Sequence, residues 1–210
     1  VNTLAHTTIF QSEFSRWVTT IKYPLVKVEG PTIFNPVDTK LFSPTGSKVN
    51  LPSGVKICGA AWSTNCMKGL WQMPLLAENN PDIQFVVCGK HSPFPNLPNL
   101  QIMGPVTREK MAAVMRSCDL FLNLSLNDPC PNVVIEALSS GLPVLYINSG
   151  GTPELVGNAG IALTIDTFRD AFETVSDDLS HYKQLARQRA LSTFDINIIG
   201  RQYLSVIENH

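Results

Sequence analysis

The fold of this chain is decided by the stretch Leu126-Asn-Asp-Pro-Cys-Pro-Asn-Val-Val-Ile-Glu-Ala-Leu-Ser-Ser-Gly-Leu-Pro143. An apolar strand pattern ends near Leu124, and a loop with two prolines follows it. A helix then begins, because Pro131 suits a first helical position and Asn132 suits an N-cap. Gly141, followed two positions later by a proline, predicts where this helix stops. A strand that leads through a loop into a helix N-terminus is typical of parallel α/β sheets.

The same alternation of strands and helices extends outward over most of the chain. Short apolar runs predict strands over residues 55–58, 84–88, 100–103, 120–124, 144–147 and 161–165. Helical spacing predicts helices over residues 68–78, 108–117, 132–140, 153–157, 168–191 and 197–210. Pro74 either kinks the first of these helices or marks its start. The pattern predicts an α/β fold, a doubly wound parallel sheet of about six strands, whose ligands bind at the carboxyl ends of the strands.

Composition excludes several classes of protein. The 210 residues carry 16 Lys and Arg against 17 Asp and Glu, a net charge of -1, so a nucleic-acid partner is not expected. No apolar run approaches the length of about 20 residues that a membrane span needs. The five cysteines form no C-x2-C pair and the four histidines are scattered, so we expect core cysteines, a cytoplasmic protein and no metal site.

The helix that starts near Pro131 is the first candidate binding element. Its free N–H groups and positive dipole end would lie at the mouth of the sheet, where they suit a phosphate. Glu136 is expected in the first turn, close enough to contact a sugar hydroxyl, and Asp128 in the loop before it. The alternative is that Glu136 only complements the helix dipole and Asp128 only turns the loop.

Two further segments follow predicted strands. Lys68 lies at a strand-to-helix junction, where its charge could pair with a phosphate, although a lone lysine is more often a solvated surface residue. Gly150 and Gly151 would let the backbone approach a ligand closely, or form an ordinary turn. Neither G-x-G-x-x-G nor a P-loop motif occurs, so a dinucleotide site of the usual kind is not predicted.

Taken together and in this order, these segments resemble the nucleotide-sugar-binding half of GT-B glycosyltransferases, specifically glycosyltransferase family 4. The resemblance covers nearly the whole chain and implies a Rossmann-like sheet, the C-terminal half of a GT-B fold. It rests on Asn35-Pro-Val-Asp38 with Phe42, Met67-Lys-Gly69, the segments 81–89 and 104–106, the block from Asp128 to Glu136 with Gly141-Leu-Pro143, and Gly150-Gly-Thr-Pro-Glu154.

The resemblance implies a role for each candidate residue. Lys68 would hold the donor diphosphate, Glu136 would bind the ribose, and Asp128 would face the donor sugar; these three are the expected catalytic residues. The remaining donor contacts would come from Trp62, Ser63, Val106, Pro131, Asn132, Val133, Gly150 and Gly151, with Val106 contacting the base through its main chain. The reaction would retain anomeric configuration, with a UDP- or GDP-sugar as substrate and neither cofactor nor metal.

Two positions depart from the family pattern. The family has Glu where this chain has Asp128, which is shorter by one methylene. The family usually has an Arg six residues before the Lys, where this chain has Trp62. One cation of the diphosphate site is therefore lost, although Ser63 and the two residues after it could donate hydrogen bonds. Arg16 and Arg108 are not nominated in its place.

The resemblance also predicts the domain organisation. Residues 1–44 would be an arm and interdomain hinge, the end of an N-terminal acceptor-binding domain, and residues 45–210 the nucleotide-sugar-binding domain with its C-terminal helix. That helix would pack back across to the N-terminal domain, which would also make any peripheral membrane contact. Two alternatives are a nucleotide-sugar-binding module without catalysis and a GT-B-like sugar-nucleotide epimerase.

Overall fold

A computed structural model describes residues 6–23, 29–90 and 93–209. Within these residues six strands form one sheet in the order β3-β2-β1-β4-β5-β6, and every neighbouring pair is parallel. The strands are β1 Lys56–Ala61, β2 Gln84–Gly89, β3 Leu100–Gly104, β4 Leu120–Asn123, β5 Val144–Ile147 and β6 Gly160–Leu163. This is the strand order of doubly wound folds, so the predicted α/β class is confirmed.

The helices cover both faces of the sheet. They are α1 Glu13–Lys22, α2 Met73–Asn79, α3 Arg108–Ser117, α4 Asn132–Ser139, α5 Thr152–Val156, α6 Phe168–Asp177, α7 Leu179–Arg189 and α8 Ile196–Glu208. Alternate residues of a strand face opposite sides, and Ile57 and Cys58 of β1 accordingly belong to the two separate apolar cores. One core lies under α3, α4 and α7, and the other lies under α2 and α6.

The topology places one crevice at the middle of the sheet. β1 and β4 are neighbours, but the chain leaves them in opposite directions, towards β2 from β1 and towards β5 from β4. The loops that follow their carboxyl ends therefore separate, and the space between them is the usual ligand position in such sheets. Lys68 follows β1 and Asp128 follows β4, so both lie at this crevice.

Strand β1 extends three residues beyond its predicted end. Gly59, Ala60 and Ala61 have weak strand propensity, which is why the sequence did not predict them as strand. They pair with Val87, Cys88 and Gly89 of β2, because a central position in a parallel sheet outweighs local propensity. The site loop after β1 therefore begins at Trp62.

The first predicted helix begins later than the sequence suggested. Residues 66–68 and 70–72 form two 3-10 turns separated by Gly69, and α2 starts only at Met73. Gly69 has a φ of 73°, a left-handed conformation that interrupts a helix. Pro74, in the first turn of α2, thus marks the start of the helix, one of its two predicted roles.

The long helix predicted over residues 168–191 is wrong. It is divided at Asp178, which has a φ of -129°, into α6 and α7. Phe168 and Phe172 of α6 pack in one core, whereas Ala186 of α7 packs in the core on the other face of the sheet. Leu179 and Tyr182 at the start of α7 still pack against the first core, so the break at Asp178 redirects the chain before α7 reaches the other core.

The predicted arm packs on the rest of the chain. The Glu154 carboxylate accepts the backbone N–H of Glu13 at 2.7 Å and of Phe14 at 2.8 Å, which caps the N-terminus of α1. Val37 pairs with Asp195, just before α8. Residues 1–5 and 24–28 of the arm and His210 of the terminal helix lie outside the described residues, and the domain boundary at residue 44 stays a prediction.

The burial of the cysteines and the hydropathy of the helices bear on two expectations from the sequence. Four cysteines are buried, but Cys66 is exposed, because it lies in the turn before α2 rather than in the core. Among the described helices, none has both the length and the hydropathy that crossing a membrane requires.

Candidate functional site

Lys68 is positioned by backbone contacts between the loops after β1 and β4. The N–H of Leu126 donates to the Met67 carbonyl oxygen at 2.7 Å. At Gly69 a Cβ atom would lie 2.1 Å from the carbonyl oxygen of Leu124, so only glycine permits this approach. The close contact places Lys68 beside the β4–α4 loop.

Lys68 and Asp128 form an ion pair. Lys68 Nζ lies 2.6 Å from Asp128 Oδ2, and the other carboxylate oxygen accepts the N–H of Cys130 at 3.3 Å. The lysine side chain is 36% exposed and the aspartate 13%. The sequence assigned the two residues to different parts of a ligand, but in the structure each compensates the charge of the other.

The N-terminus of α4 is open towards the same loop. Pro131 is the N-cap and Asn132 the first helical residue, the reverse of the predicted assignment. Proline has no side-chain acceptor, so the first-turn N–H groups receive no side-chain cap from it. The N–H of Val134 donates to the Pro131 carbonyl oxygen at 3.0 Å, which leaves those of Asn132 and Val133 to face an anionic ligand.

Eight of the eleven predicted site residues line two adjoining cavities. The first, called here the Lys68 cavity, has a volume of about 350 Å³ and is lined by Ala60, Ala61, Trp62, Ser63, Lys68, Ser125, Asp128, Cys130, Pro131, Asn132 and Val133. The second, the Glu136 cavity, has a volume of about 630 Å³ and is lined by Gln11, Asn35, Pro36, Phe42, Trp62, Arg108, Met111, Asn132 and Glu136. Trp62 and Asn132 line both, so the two cavities adjoin.

Glu136 lies in the second turn of α4, not in the first turn as predicted. Its side chain is half-buried, and this burial raises the pKa of the carboxyl group to about 7, while the charge of Arg108 acts in the opposite direction. Glu136 therefore changes charge near neutral pH. A carboxylate at this depth can accept hydrogen bonds from ligand hydroxyl groups.

Gly150 and Gly151 lie behind the β4–α4 loop. A Cβ atom would lie 2.3 Å from the Asp128 carbonyl oxygen at Gly150, and 2.1 Å from the Pro129 carbonyl oxygen at Gly151. The N–H of Gly151 also donates to the Asp128 carbonyl at 2.9 Å. The glycines therefore approach this loop, and they are not among the residues that line the two cavities.

Val106 is likewise outside the cavity walls. It lies in the turn between β3 and α3 and packs against the core that contains Phe42 and Met111. Its predicted main-chain contact with a base stays a prediction.

Asn35 is a site residue that the sequence did not single out for binding. Its Nδ2 donates to Asn132 Oδ1 at 2.8 Å and to the Cys130 carbonyl oxygen at 3.3 Å. Residues 29–44, called the connector here, thus hold the start of α4 in place. The only sequence signal was the turn Asn35-Pro-Val-Asp38, which indicates a turn but not its contact 95 residues away.

No three His, Cys, Asp or Glu side chains gather as metal ligands in the described part of the chain. The site offers a ligand one ion-paired lysine, one arginine, a helix N-terminus, a carboxyl group with a raised pKa and several amides.

These features define a class of protein: a doubly wound α/β domain with a lysine and a helix N-terminus at its topological switch point. A sequence model of the family Glycosyl transferases group 1 matches residues 65–178, more than half of the chain. The chain belongs to this family. Its Rossmann-like sheet matches GT-B glycosyltransferases of known structure.

Individual relatives are distant in sequence. The structure of Anabaena HepE, solved in complex with UDP and glucose, superposes with a TM-score of 0.80 at 19% identity, covering 100% of this chain and 64% of that one. The α-mannosyltransferase of Corynebacterium glutamicum, which is GDP-mannose-dependent, is 29% identical over 71% of this chain and 40% of its own length. The GPI3 subunit of the Saccharomyces cerevisiae phosphatidylinositol N-acetylglucosaminyltransferase is 26% identical over 41% of this chain. The match spans only 21% of that subunit.

Replacing Gly151 by alanine is expected to destabilise the protein by about 1–3 kcal/mol, because the new methyl group would overlap the Pro129 carbonyl oxygen. Gly200→Ala is the matched control. Gly200 lies inside α8, where an added Cβ meets nothing within 4 Å, so this change should stabilise the protein by about 0.5–1 kcal/mol. Urea unfolding of both variants measures the difference; equal shifts would show that the loop contact does not matter.

Glu136→Gln is expected to remove a pH dependence of stability. The folded-state pKa of about 7 lies above the ordinary value of 4.5, so the folded chain binds more protons than the unfolded chain between these values. Wild-type stability should therefore fall as the pH rises from about 4.5 to 7, and the variant should lack this fall. The stability that the wild type loses through Glu136 between pH 4.5 and pH values above 7 should be on the order of 1–3 kcal/mol. Urea unfolding at pH 4, 6 and 8 provides the measurement, and parallel profiles would contradict the assignment.

Proposed function

We propose that this chain is the donor-binding domain of a glycosyltransferase that transfers a sugar, with retention, from a UDP- or GDP-sugar to an acceptor. One observation carries the proposal. Lys68 and the open N-terminus of α4 line a single cavity at the carboxyl ends of β1 and β4. A cation opposite free backbone N–H groups is an arrangement that binds phosphate.

The diphosphate would occupy the Lys68 cavity. Lys68 Nζ has three donors, so it can keep its contact with Asp128 and still donate to a phosphate oxygen. The first-turn N–H groups at Asn132 and Val133 would donate from the other side. Asp128 would face the donor sugar, to which its remaining acceptor capacity is suited.

The nucleoside would extend into the Glu136 cavity, which adjoins the first at Trp62 and Asn132. The ionised Glu136 carboxylate would accept hydrogen bonds from the two ribose hydroxyl groups. With a pKa of about 7, Glu136 is partly protonated in the free protein at neutral pH, so ribose binding would favour its ionised form. Ser63, exposed beside Lys68, would add a hydroxyl donor to the phosphates.

The chemical contribution of this domain would be electrostatic. Negative charge develops on the diphosphate as the bond to the sugar breaks, and Lys68 and the helix N-terminus would stabilise it there. Asp128 and Glu136 would hold the sugar and ribose so that the reacting carbon is correctly oriented. We expect the donor to bind without a metal or another cofactor.

The acceptor would be bound by another domain of the same protein. The chain spans 64% of Anabaena HepE and 40% of the corynebacterial mannosyltransferase, so these relatives have further sequence beyond the matched part. Exposed apolar side chains on α1 and α8 suit contact with such a domain: Trp17, Ile21, Leu204 and Ile207. Any peripheral membrane contact would also come from that domain.

Two other functions are alternatives to transfer: a binding module without catalysis and a sugar-nucleotide epimerase. A binding module without catalysis is favoured by Trp62 at the position of the family's arginine and by the pairing of Lys68 with Asp128. An epimerase would use the same nucleotide site but change the sugar without releasing it.

Lys68→Ala is expected to weaken nucleoside diphosphate binding about tenfold or more, because it removes a charge-assisted hydrogen bond. Lys56→Ala is the control, since Lys56 lies at the amino end of β1, opposite the carboxyl end that Lys68 follows. Calorimetric titration with UDP and GDP at low salt measures both. An unchanged dissociation constant for Lys68→Ala would remove this lysine from the site.

Proton NMR of the chain with a UDP- or GDP-sugar distinguishes the rivals. We expect the sugar signals to stay unchanged, because under this proposal the acceptor is bound by another domain. A second sugar isomer would instead establish an epimerase. The complete parent protein should release nucleoside diphosphate slowly with water as acceptor. Tight binding without any release would favour the module.

A further inference from the structure

Arg108 is a cation on the wall of the Glu136 cavity. It is the first residue of α3, and the Thr107 side chain caps this helix by accepting the N–H of Lys110 at 3.3 Å. The Arg108 guanidinium carbon lies 5.5 Å from the centre of the Phe42 ring, which is completely buried. This cation–π contact fixes the direction of an otherwise exposed side chain.

Within the described residues the Arg108 guanidinium forms no hydrogen bond and no ion pair. The carboxylates of Glu109 and Glu136 interact with it only through charge. Lys68, by contrast, lies in the other cavity and is paired with Asp128. Arg108 is thus the one cation among the described residues that line the Glu136 cavity.

The position of Arg108 favours a contact with a nucleobase over a contact with phosphate. The phosphates would bind at the start of α4. Glu136 lies four residues further along this helix, or about 6 Å along its axis. This is about the separation of a nucleotide's phosphate from its ribose hydroxyl groups. Arg108 lines only the Glu136 cavity, so its donors are directed at the nucleoside and not at phosphates in the Lys68 cavity. With the ribose hydroxyl groups bound to Glu136, the base is the remaining part of the nucleoside that Arg108 would meet.

We propose that Arg108 selects the base of the donor nucleotide and favours uracil or guanine over cytosine or adenine. The inference rests on the proposed function. A guanidinium has five N–H donors and no acceptor, so it suits a ring carbonyl and opposes an exocyclic amino group. Uracil presents the O4 acceptor where cytosine has an amino donor, and guanine presents O6 and N7 where adenine has an amino group beside N7.

The amides of the same cavity are engaged with one another. Gln11 Nε2 donates to Asn35 Oδ1 at 3.1 Å, and Asn35 Nδ2 donates to Asn132 Oδ1 at 2.8 Å. The Arg108 guanidinium, by contrast, carries only donors and cannot reverse its polarity. Arg108 is therefore the cationic donor of this cavity that would discriminate between keto and amino bases.

The test compares matched nucleotide pairs by calorimetric titration. UDP and CDP differ at one edge of the ring, and ADP and GDP supply the purine comparison. The wild-type chain should bind UDP and GDP about tenfold more tightly than CDP and ADP. Arg108→Met keeps the aliphatic stem over Phe42 but removes the donors, and it should bring each pair within about twofold.

Two controls separate base reading from other effects. Inorganic diphosphate has no base, so its affinity should be the same for the wild type and Arg108→Met, which also shows that the variant is folded. Lys110→Met removes a charge two residues further along α3 and should leave the base preference intact.

Three results would overturn the inference: no base preference in the wild type, a preference that persists in Arg108→Met, or an equal loss of affinity for inorganic diphosphate. The last would make Arg108 a phosphate ligand. If the wild type binds none of the nucleotides, the proposed function itself fails. Binding without a preference that depends on Arg108 refutes only the base assignment.

Discussion

Three turns at the carboxyl ends of β1, β4 and β5 pack against one another through their backbones, and the binding edge of the sheet depends on these contacts. Gly69 approaches the Leu124 carbonyl and Gly151 approaches the Pro129 carbonyl, at distances where a Cβ atom would overlap the oxygen. The middle loop, between β4 and α4, is therefore held from both sides. Its conformation sets the position of Asp128 and the direction in which the N-terminus of α4 points.

The arm and connector extend this support to the other side of the site. Glu154, at the start of α5, caps α1, and Asn35 fixes the start of α4 by contacts to Cys130 and Asn132. From the far side, the Arg187 guanidinium donates to backbone carbonyl oxygens of the connector and of α4, namely those of Thr39, Phe42 and Ser139. The site is consequently built on elements that are widely separated in the chain but linked by hydrogen bonds.

The charges of the site are arranged in two unlike groups. In the Lys68 cavity the lysine is matched by Asp128, so the field that an incoming anion meets comes largely from the helix N-terminus. In the Glu136 cavity a half-buried carboxyl group and the exposed Arg108 face the same space without a direct bond between them. A ligand with an anionic end and a hydroxyl-bearing end matches this division, as a nucleotide does.

The sequence by itself determined the sheet and the order of its loops, and eight of its eleven predicted site residues line the two cavities. Strands and helices follow from local periodicity, and the carboxyl ends of parallel strands must share one edge, so Lys68, Asp128 and the start of α4 were predictable neighbours. Only the tertiary structure decided the pairing of Lys68 with Asp128, the contacts of Asn35 and Glu154, and the place of Arg108 beside Phe42. It also divided the helix predicted over residues 168–191, because α6 packs in one core whereas α7 begins against that core and ends in the other. These features depend on contacts between distant parts of the chain, and local propensity does not predict such contacts.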